Sequence, residues 1–456
     1  MSGFDLDLMV IGGGGSGGFT AATTAMKYGA KVGMAEAGRL GGLCILAGCM
    51  PSKTLLHGAA QVKARGVSGR PAYPAVHQST RAVVEHLAGG REQAVAAKEK
   101  QGLKLYRGRA RFVDPHTVEI GGQRITAAKL VIATGSLEGA PPVPGLAESG
   151  YLDSEGFMGL AELPESLLVL GGGAQAVELA QVAARLGVKT TVVQRSGHLA
   201  SKFDPRFGRI LAQALSEDGA TIYTGTELNQ VRRGGGQVTA VFSHQGREVS
   251  VSAQALLLSL GRRPATAGLN LEAAGVDTGP KGEIVADRHM RTSQPHIFAA
   301  GDVTGGAMVV NLAVVQGEAA GYNATHHEPR EVNDRVLPTA IFTDPQFARV
   351  GLSGEQARAA GLDCLEADYE LDGMGVAKTY PEKVRGFMSM RAEKGTGRIV
   401  GAELVAPEAA LMIHDMAVAI KLGGTAADIA SIPYIHPSLA EISELTAGRL
   451  AKKLGA

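Results

Sequence analysis

The chain has 456 residues, with 45 Lys and Arg against 44 Asp and Glu, and hydrophobic side chains make up 45% of it. Charge so evenly balanced argues against a nucleic-acid partner and against an anionic membrane surface. The longest apolar runs, such as Ala255 to Leu260, fall far short of the roughly 20 residues a membrane span needs. At roughly 150 residues per domain the length predicts about three domains, each with its own core. The N-terminus carries no apolar signal core, so the cytoplasm is the expected compartment. There are three cysteines, and no second Cys/His cluster with ligand spacing follows them, so no metal site is expected.

A short apolar strand, Leu8 to Ile11, runs straight into the glycine run Gly12 to Gly17, and Phe19 to Tyr28 supplies a helix. Gly12, Gly14 and Gly17 have the G-x-G-x-x-G spacing, which lets a pyrophosphate approach the backbone and rest on a helix N-terminus. A second strand, Lys31 to Ala35, ends at Glu36, about 20 residues after the last glycine, where a carboxylate meets a ribose hydroxyl. Next come Cys44 and Cys49, then Pro51 and the apolar helical pattern of Thr54, Leu55 and Leu56. Proline favours the first helical position, so Cys49 is expected beside a helix N-terminus, where the dipole and Lys53 favour a thiolate. Two buried structural thiols are the plain alternative. In a reducing compartment the nucleotide-site context favours a redox pair.

Ala59 to Gln101 reads as further helices broken near Gly69 to Pro74, and Leu103 to Ile125 as short strands with turns at Pro115 and Gly121. Lys129 to Gly135 is a buried strand closing on a small-residue turn, and Pro141 to Gly145 a linker. A second fingerprint follows: strand Ser166 to Leu170, then Gly171, Gly173 and Ala176, helix Val177 to Leu186 and strand Thr190 to Val193. Its expected acid is replaced by Gln194 and Arg195. An arginine there accommodates a 2′-phosphate, which favours NADPH over NADH, although Arg195 as a solvated charge fits as well. Ala255 to Leu260 is a buried strand that exits through Gly261. His296 to Ala300 is a strand ending at Asp302, placed either for a ligand or to cap the apolar stretch Met308 to Ala313.

From Arg335 the composition changes. Strands are expected at Ala340–Phe342, Phe347–Val350, Gly386–Arg391 and Ile399–Val405, and helices at Glu408–Leu422 and Leu439–Leu450, which makes a separate α+β unit. Pro437 is expected to start the last helix, leaving His436 in the loop before it and Glu441 in reach of the imidazole. Cys364, in a turn-like stretch after Gly361, has no partner in sequence and is read as a bystander.

In this order the motifs resemble the flavin-dependent pyridine nucleotide–disulfide oxidoreductases, over essentially the whole chain. The likeness is most specific at CILAGCMPSK, around Cys44 and Cys49, and at HPSLAE, from His436 to Glu441. The resemblance implies an α/β fold of two Rossmann-like dinucleotide-binding domains, for FAD and NAD(P), plus a C-terminal α+β dimerisation domain. The expected boundaries are 1–148 for FAD, 149–265 for NAD(P), 266–334 returning to the FAD or central domain, and 335–456 for the interface. It implies that Gly12, Gly14, Gly17, Glu36, Lys53, Thr134, Gly135 and Asp302 serve FAD. Gly171, Gly173, Ala176, Glu178, Gln194, Arg195 and Gly261 would serve NAD(P), with Glu178 also the acid that pairs with Lys53. Cys44 would exchange with substrate and Cys49 face the flavin. His436 and Glu441 would come from the other subunit of a homodimer. The best match is dihydrolipoyl dehydrogenase, acting on lipoamide borne by another protein. Tyr434 and the Gln194–Ser196 segment instead resemble mercuric reductases, which makes an NADPH-dependent metal reductase the alternative. A flavoprotein redox sensor is a third reading, and the complete His436–Glu441 pair argues against it.

Overall fold

The computed structural model describes residues 3–380 and 384–455. Its first sheet sets parallel strands Lys104–Arg107, Val32–Glu36, Leu6–Ile11 and Gln123–Ile132 side by side. Strand Ile297–Ala299 then pairs in parallel with the end of Gln123–Ile132, although most of the second domain lies between them in sequence. The inner stretches Leu8–Ile11 and Leu130–Ile132 are continuously apolar and buried because both faces are covered there. Leu6, Met9 and Ile11 enter one core cluster, whereas Leu8 and Val10 enter another. Helix Ser16–Lys27 crosses helix Val310–Asn323 closely, since a side chain at Gly317 would run into the Gly17 carbonyl. That crossing brings the Gly301–Asp302 turn beside the first glycine fingerprint.

The second sheet is again parallel, in the order Thr221–Thr224, Lys189–Gln194, Ser166–Leu170, Ala255–Leu258. An antiparallel three-stranded sheet, Thr226–Gly234, Gln237–His244 and Arg247–Ala253, is inserted before its last strand. The third unit is an antiparallel sheet in the order Thr339–Ile341, Gln346–Gly351, Ile399–Ala406, Phe387–Glu393, Cys364–Glu370. Side chains alternate across its pleat. Val350, Met388, Met390 and Leu404 pack with Met416, Ile442 and Leu450 of the C-terminal helices. Phe347, Phe387 and Val405 face the other way, into the core that holds Leu179 and Phe207 of the second domain.

Three local expectations are corrected. The helix break lies at residues 65–68, and Gly69–Glu99 is one helix that includes Pro74. The proline lies near the N-terminal end of that helix and removes one internal bond, while the neighbouring Tyr73 hydroxyl anchors this segment by donating to the Leu160 carbonyl at 2.7 Å. Cys364 opens a strand rather than lying in a turn. The final helix starts at Glu441, not Pro437, so the whole segment from His436 to Ala440 is loop. Among the described residues no helix is long and apolar enough to cross a membrane.

Candidate active site

Cys44 lies in the short helix Gly42–Ala47, and after Gly48 a second helix, Cys49–Ala64, begins at Cys49 itself. Pro51 is therefore the third helical residue rather than the first. The first-turn amides have no intrahelical partner, so proline is tolerated at any of these positions. Gly48 offers no side-chain cap and the first turn holds no acid, which leaves the positive end of the helix to the Cys49 sulfur.

All three cysteines are free thiols. The neighbouring Cys44 thiol, then the charge of Lys53, draw Cys49 down to about 7 against the opposing effect of burial. The same contact, then burial, pushes the Cys44 thiol far above its ordinary value. Above about pH 7 the reduced pair therefore holds one proton, on Cys44, and a negative charge on Cys49. Thiolate ultraviolet absorbance of the reduced protein should accordingly rise by one equivalent through about pH 7. The Cys49→Ser protein should lack that step, and a step that persists in it would refute the assignment.

Lys53, one turn further along, donates to Glu178 Oε2 at 2.8 Å. Glu178 belongs to helix Ala174–Arg185 of the second domain and is 5% exposed. Its Oε1 accepts the Phe342 amide of the third unit at 2.9 Å, and the lysine nitrogen sits 4.5 Å from the Phe342 ring centroid. A buried carboxylate survives when it is paired and its second oxygen is bonded. The structure thus brings Glu178 to the cysteine helix rather than to the glycine turn of its own helix.

The first fingerprint forms a cradle suited to a pyrophosphate. Gly12 has φ of 85°, and a Cβ there would lie 2.5 Å from the Ala133 carbonyl oxygen. Helix Ser16–Lys27 starts from Gly15 with neither a side-chain cap nor a first-turn acid, so its amides are free for an anion. Glu36 closes the cradle: Oε2 accepts from the Gly14 amide and Oε1 from the Gly38 amide, each at 2.8 Å. Asp302 accepts from Ser136 Oγ at 2.6 Å, and Arg262 Nε donates to the same hydroxyl at 2.8 Å. It caps no part of the next helix, which begins at Val310. Thr134 Oγ1 donates to the Ala265 carbonyl at 2.8 Å, and the Gly135 carbonyl accepts from the Ala265 amide at 3.0 Å. Both residues therefore sit where the two domains are stitched together. These residues fit a flavin dinucleotide. Ser136, Arg262 and Gln316, whose Oε1 accepts the Gly301 amide at 2.8 Å, escaped the sequence reading. Arg262 had a visible signal in the Gly-Arg-Arg-Pro exit, but its target lies more than a hundred residues away.

In the second fingerprint, the Ser259 carbonyl occupies the space a side chain at Gly171 would need, and Gly173 precedes an uncapped helix. Ala176 is fully buried. Gln194 ends its strand and is buried, whereas Arg195 is exposed beyond it. Gly261, with φ of 115°, gives its carbonyl to the Gly139 amide at 2.9 Å.

His436 and Glu441 form a separate cluster. His436 Nδ1 and Glu441 Oε1 are 2.8 Å apart, and Glu441 Oε2 accepts the Ser438 amide at 2.8 Å. That amide, then the imidazole, hold the Glu441 carboxyl below its usual range. The imidazole is 81% exposed, and among the described residues no hydrogen bond or ion pair links this dyad to Cys44 or Cys49 within one chain. On the same unit Leu411, Val418, Leu422, Ile432 and Ile435 are exposed. Tyr434 donates to Asp415 Oδ2 at 2.9 Å and tethers the loop that carries His436.

Two dinucleotide folds joined through Lys53 and Glu178 to one dithiol make this an electron-transfer protein of the thiol–disulfide class. The chain belongs to the pyridine nucleotide-disulphide oxidoreductase family, which it matches over residues 6–317, with that family's dimerisation domain over residues 337–446. It is an FAD-dependent enzyme that uses a pyridine nucleotide, and the dimerisation domain supports a homodimer. It is 36% identical over 456 residues to a mercuric reductase of Streptomyces lividans, covering 97% of this chain and 95% of that one. It is 33% identical over 453 residues to the dihydrolipoyl dehydrogenase of Geobacillus stearothermophilus, covering 96% and 95%. The Cu(II) complex of the HOCl-induced flavoprotein disulfide reductase RclA from Escherichia coli superposes with a TM-score of 0.87 at 28% identity, covering 99% of this chain and all of that one.

Proposed function

We propose that the enzyme moves electrons between a dithiol–disulfide substrate and NAD(P) through Cys44 and Cys49, with a lipoyl disulfide, as on a carrier protein, the first substrate to test. The observation that carries this is the placement of Cys49 at the start of an uncapped helix with Lys53 one turn on and Cys44 beside it, where the Cys44 thiol and then Lys53 draw Cys49 down to about 7. Bound at the first cradle, FAD supplies the two-electron exchange between the nicotinamide and the Cys49 sulfur. The rest is done by the chain's own residues.

In the reducing direction Cys44 must lose its proton before it attacks a substrate disulfide, because its thiol is pushed so far up. The base is His436 of the partner subunit, turned and charge-compensated by Glu441. The Cys44 thiolate attacks one substrate sulfur and the substrate S–S bond breaks. The departing sulfur takes the proton from the imidazolium. Cys49 then attacks Cys44 Sγ, forming the Cys44–Cys49 bond and expelling the second substrate thiolate. The same steps reversed oxidise a dithiol.

Metal-ion reduction, with Hg(II) as substrate, is a second reading favoured by Tyr434 and by the likeness to mercuric reductases. Steady-state NAD(P)H oxidation with lipoamide and with Hg(II) separates the two. Turnover of Hg(II) alone would overturn the disulfide proposal.

For the nucleotide we propose NADPH, bound through exposed Arg195 with Gln194 on the ribose. A charge-assisted hydrogen bond of about 1.5–3 kcal/mol corresponds to roughly 10- to 150-fold. Arg195→Ala should therefore lower kcat/KM for NADPH by at least about tenfold and spare NADH. An equal loss on both nucleotides contradicts the assignment.

A further inference from the structure

Strands Thr339–Ile341 and Gln346–Gly351 of the third unit are antiparallel neighbours, so residues 342–345 form the turn between them. That turn is fastened to helix Ala174–Arg185 of the second domain. The Asp344 amide donates to Gln181 Oε1 at 2.8 Å, and Gln181 Nε2 donates back to the Asp344 carbonyl at 3.0 Å. Arg185 Nη2 donates to Asp344 Oδ2 at 2.8 Å. Glu178, Gln181 and Arg185 are spaced by three and four residues and so share one helix face. Gln181 is fully buried, and its amide, bonded at both ends, fixes the backbone it grips. Phe342 is delivered to the start of that face, with its amide on Glu178 Oε1 at 2.9 Å and its ring centroid 4.5 Å from the Lys53 ammonium.

Lys53 has few holds on its position. Its side chain is 29% exposed, so water competes for the ammonium. Within the protein it has Glu178, the Phe342 ring and a long contact of 3.4 Å to Ser52 Oγ. The groups that act on the Cys49 sulfur are Cys44, Lys53 and Glu178, and Glu178 opposes the thiolate that Lys53 favours. A second carboxylate would hold the ammonium firmly but would add to that opposition. An aromatic face attracts a cation through its quadrupole while carrying no net charge, so it holds Lys53 without cancelling it at Cys49.

We propose that Phe342 is a positioning residue for the dithiol: its amide fixes Glu178 and its ring keeps the Lys53 ammonium within reach of Cys49. The third unit then serves the Cys49 of its own chain through Phe342 and the Cys44 of the partner through His436. The inference rests on the reading of Cys49 as the thiolate that meets the flavin. The test is the pH midpoint of the long-wavelength thiolate-to-flavin band in holoenzyme reduced anaerobically by two electrons. Phe342→trifluorophenylalanine, fluorinated at positions 3, 4 and 5, keeps the backbone amide and closely the ring's size, but strips the negative charge from its face. Its midpoint should lie above that of the wild type by about 0.3 pH or more, roughly twofold less thiolate below the midpoint. Phe342→Leu, which removes the ring altogether, should raise it by about 0.5 pH or more. An unmoved or lower midpoint in the fluorinated protein overturns the proposal, whatever the leucine variant does, because a role in packing alone does not respond to the charge of the ring face. Should Phe342→Leu not fold with its flavin, the fluorinated protein still decides. If the wild type itself shows no titrating band, the assignment of the Cys49 thiolate falls, a failure distinct from equal midpoints in the wild-type and fluorinated proteins.

Discussion

Reduced anaerobically by NADPH, the Cys49→Ser holoprotein should show no long-wavelength thiolate-to-flavin absorption, and its disulfide turnover should fall by at least roughly 10³-fold. Both effects follow from the position of the sulfur. Cys49 opens a helix of 16 residues with no capping side chain and no acid in its first turn, whereas Cys44 is the third residue of a helix of only six. Cys49 alone is drawn down to about 7, by the Cys44 thiol and then by Lys53. Serine keeps the size and a donor but has no accessible anion at neutral pH. Cys44→Ser should behave oppositely, keeping the absorption because Lys53 still favours a Cys49 thiolate, while losing disulfide turnover equally. Loss of the band in Cys44→Ser and its retention in Cys49→Ser would exchange the two roles.

The second large effect concerns the exposed imidazole. His436→Ala should lower disulfide turnover by about 10²- to 10⁴-fold, the usual worth of a positioned base, while NAD(P)H-to-dye activity stays close to wild type. The split is expected because electron flow from nicotinamide to dye needs no proton moved at Cys44, whereas attack on a disulfide does. Within one chain the imidazole touches Glu441 and is otherwise exposed, so it can serve Cys44 only across the dimer. Mixed dimers of His436→Ala and Cys44→Ser subunits should therefore retain one intact site. Their inactivity would place the base elsewhere.

Both nucleotide fingerprints were legible because glycine spacing there is dictated by backbone geometry. At Gly12 and Gly171 a neighbouring carbonyl stands where a side chain would go. Strand Ser166–Leu170 was expected at its observed limits because a strand covered on both faces is a plain apolar run. The strand opened by Cys364 was not, since its sequence CLEADYE carries three acids and forms an edge of its sheet. An edge tolerates charge that an inner strand would not. The start of the last helix was misplaced because proline suits a loop as well as a first turn, and here Glu441 bonds the Ser438 amide and the imidazole from the helix start.

The most direct test of the dithiol's place in the electron path is an anaerobic titration of the wild-type holoenzyme with NADPH, followed by absorbance. The cysteine pair should accept one hydride equivalent before the flavin bleaches, with the long-wavelength thiolate band growing to that point and a second equivalent needed for full reduction. Complete bleaching by the first equivalent, with no such band in protein whose Cys44–Cys49 disulfide is intact at the start, would contradict the account.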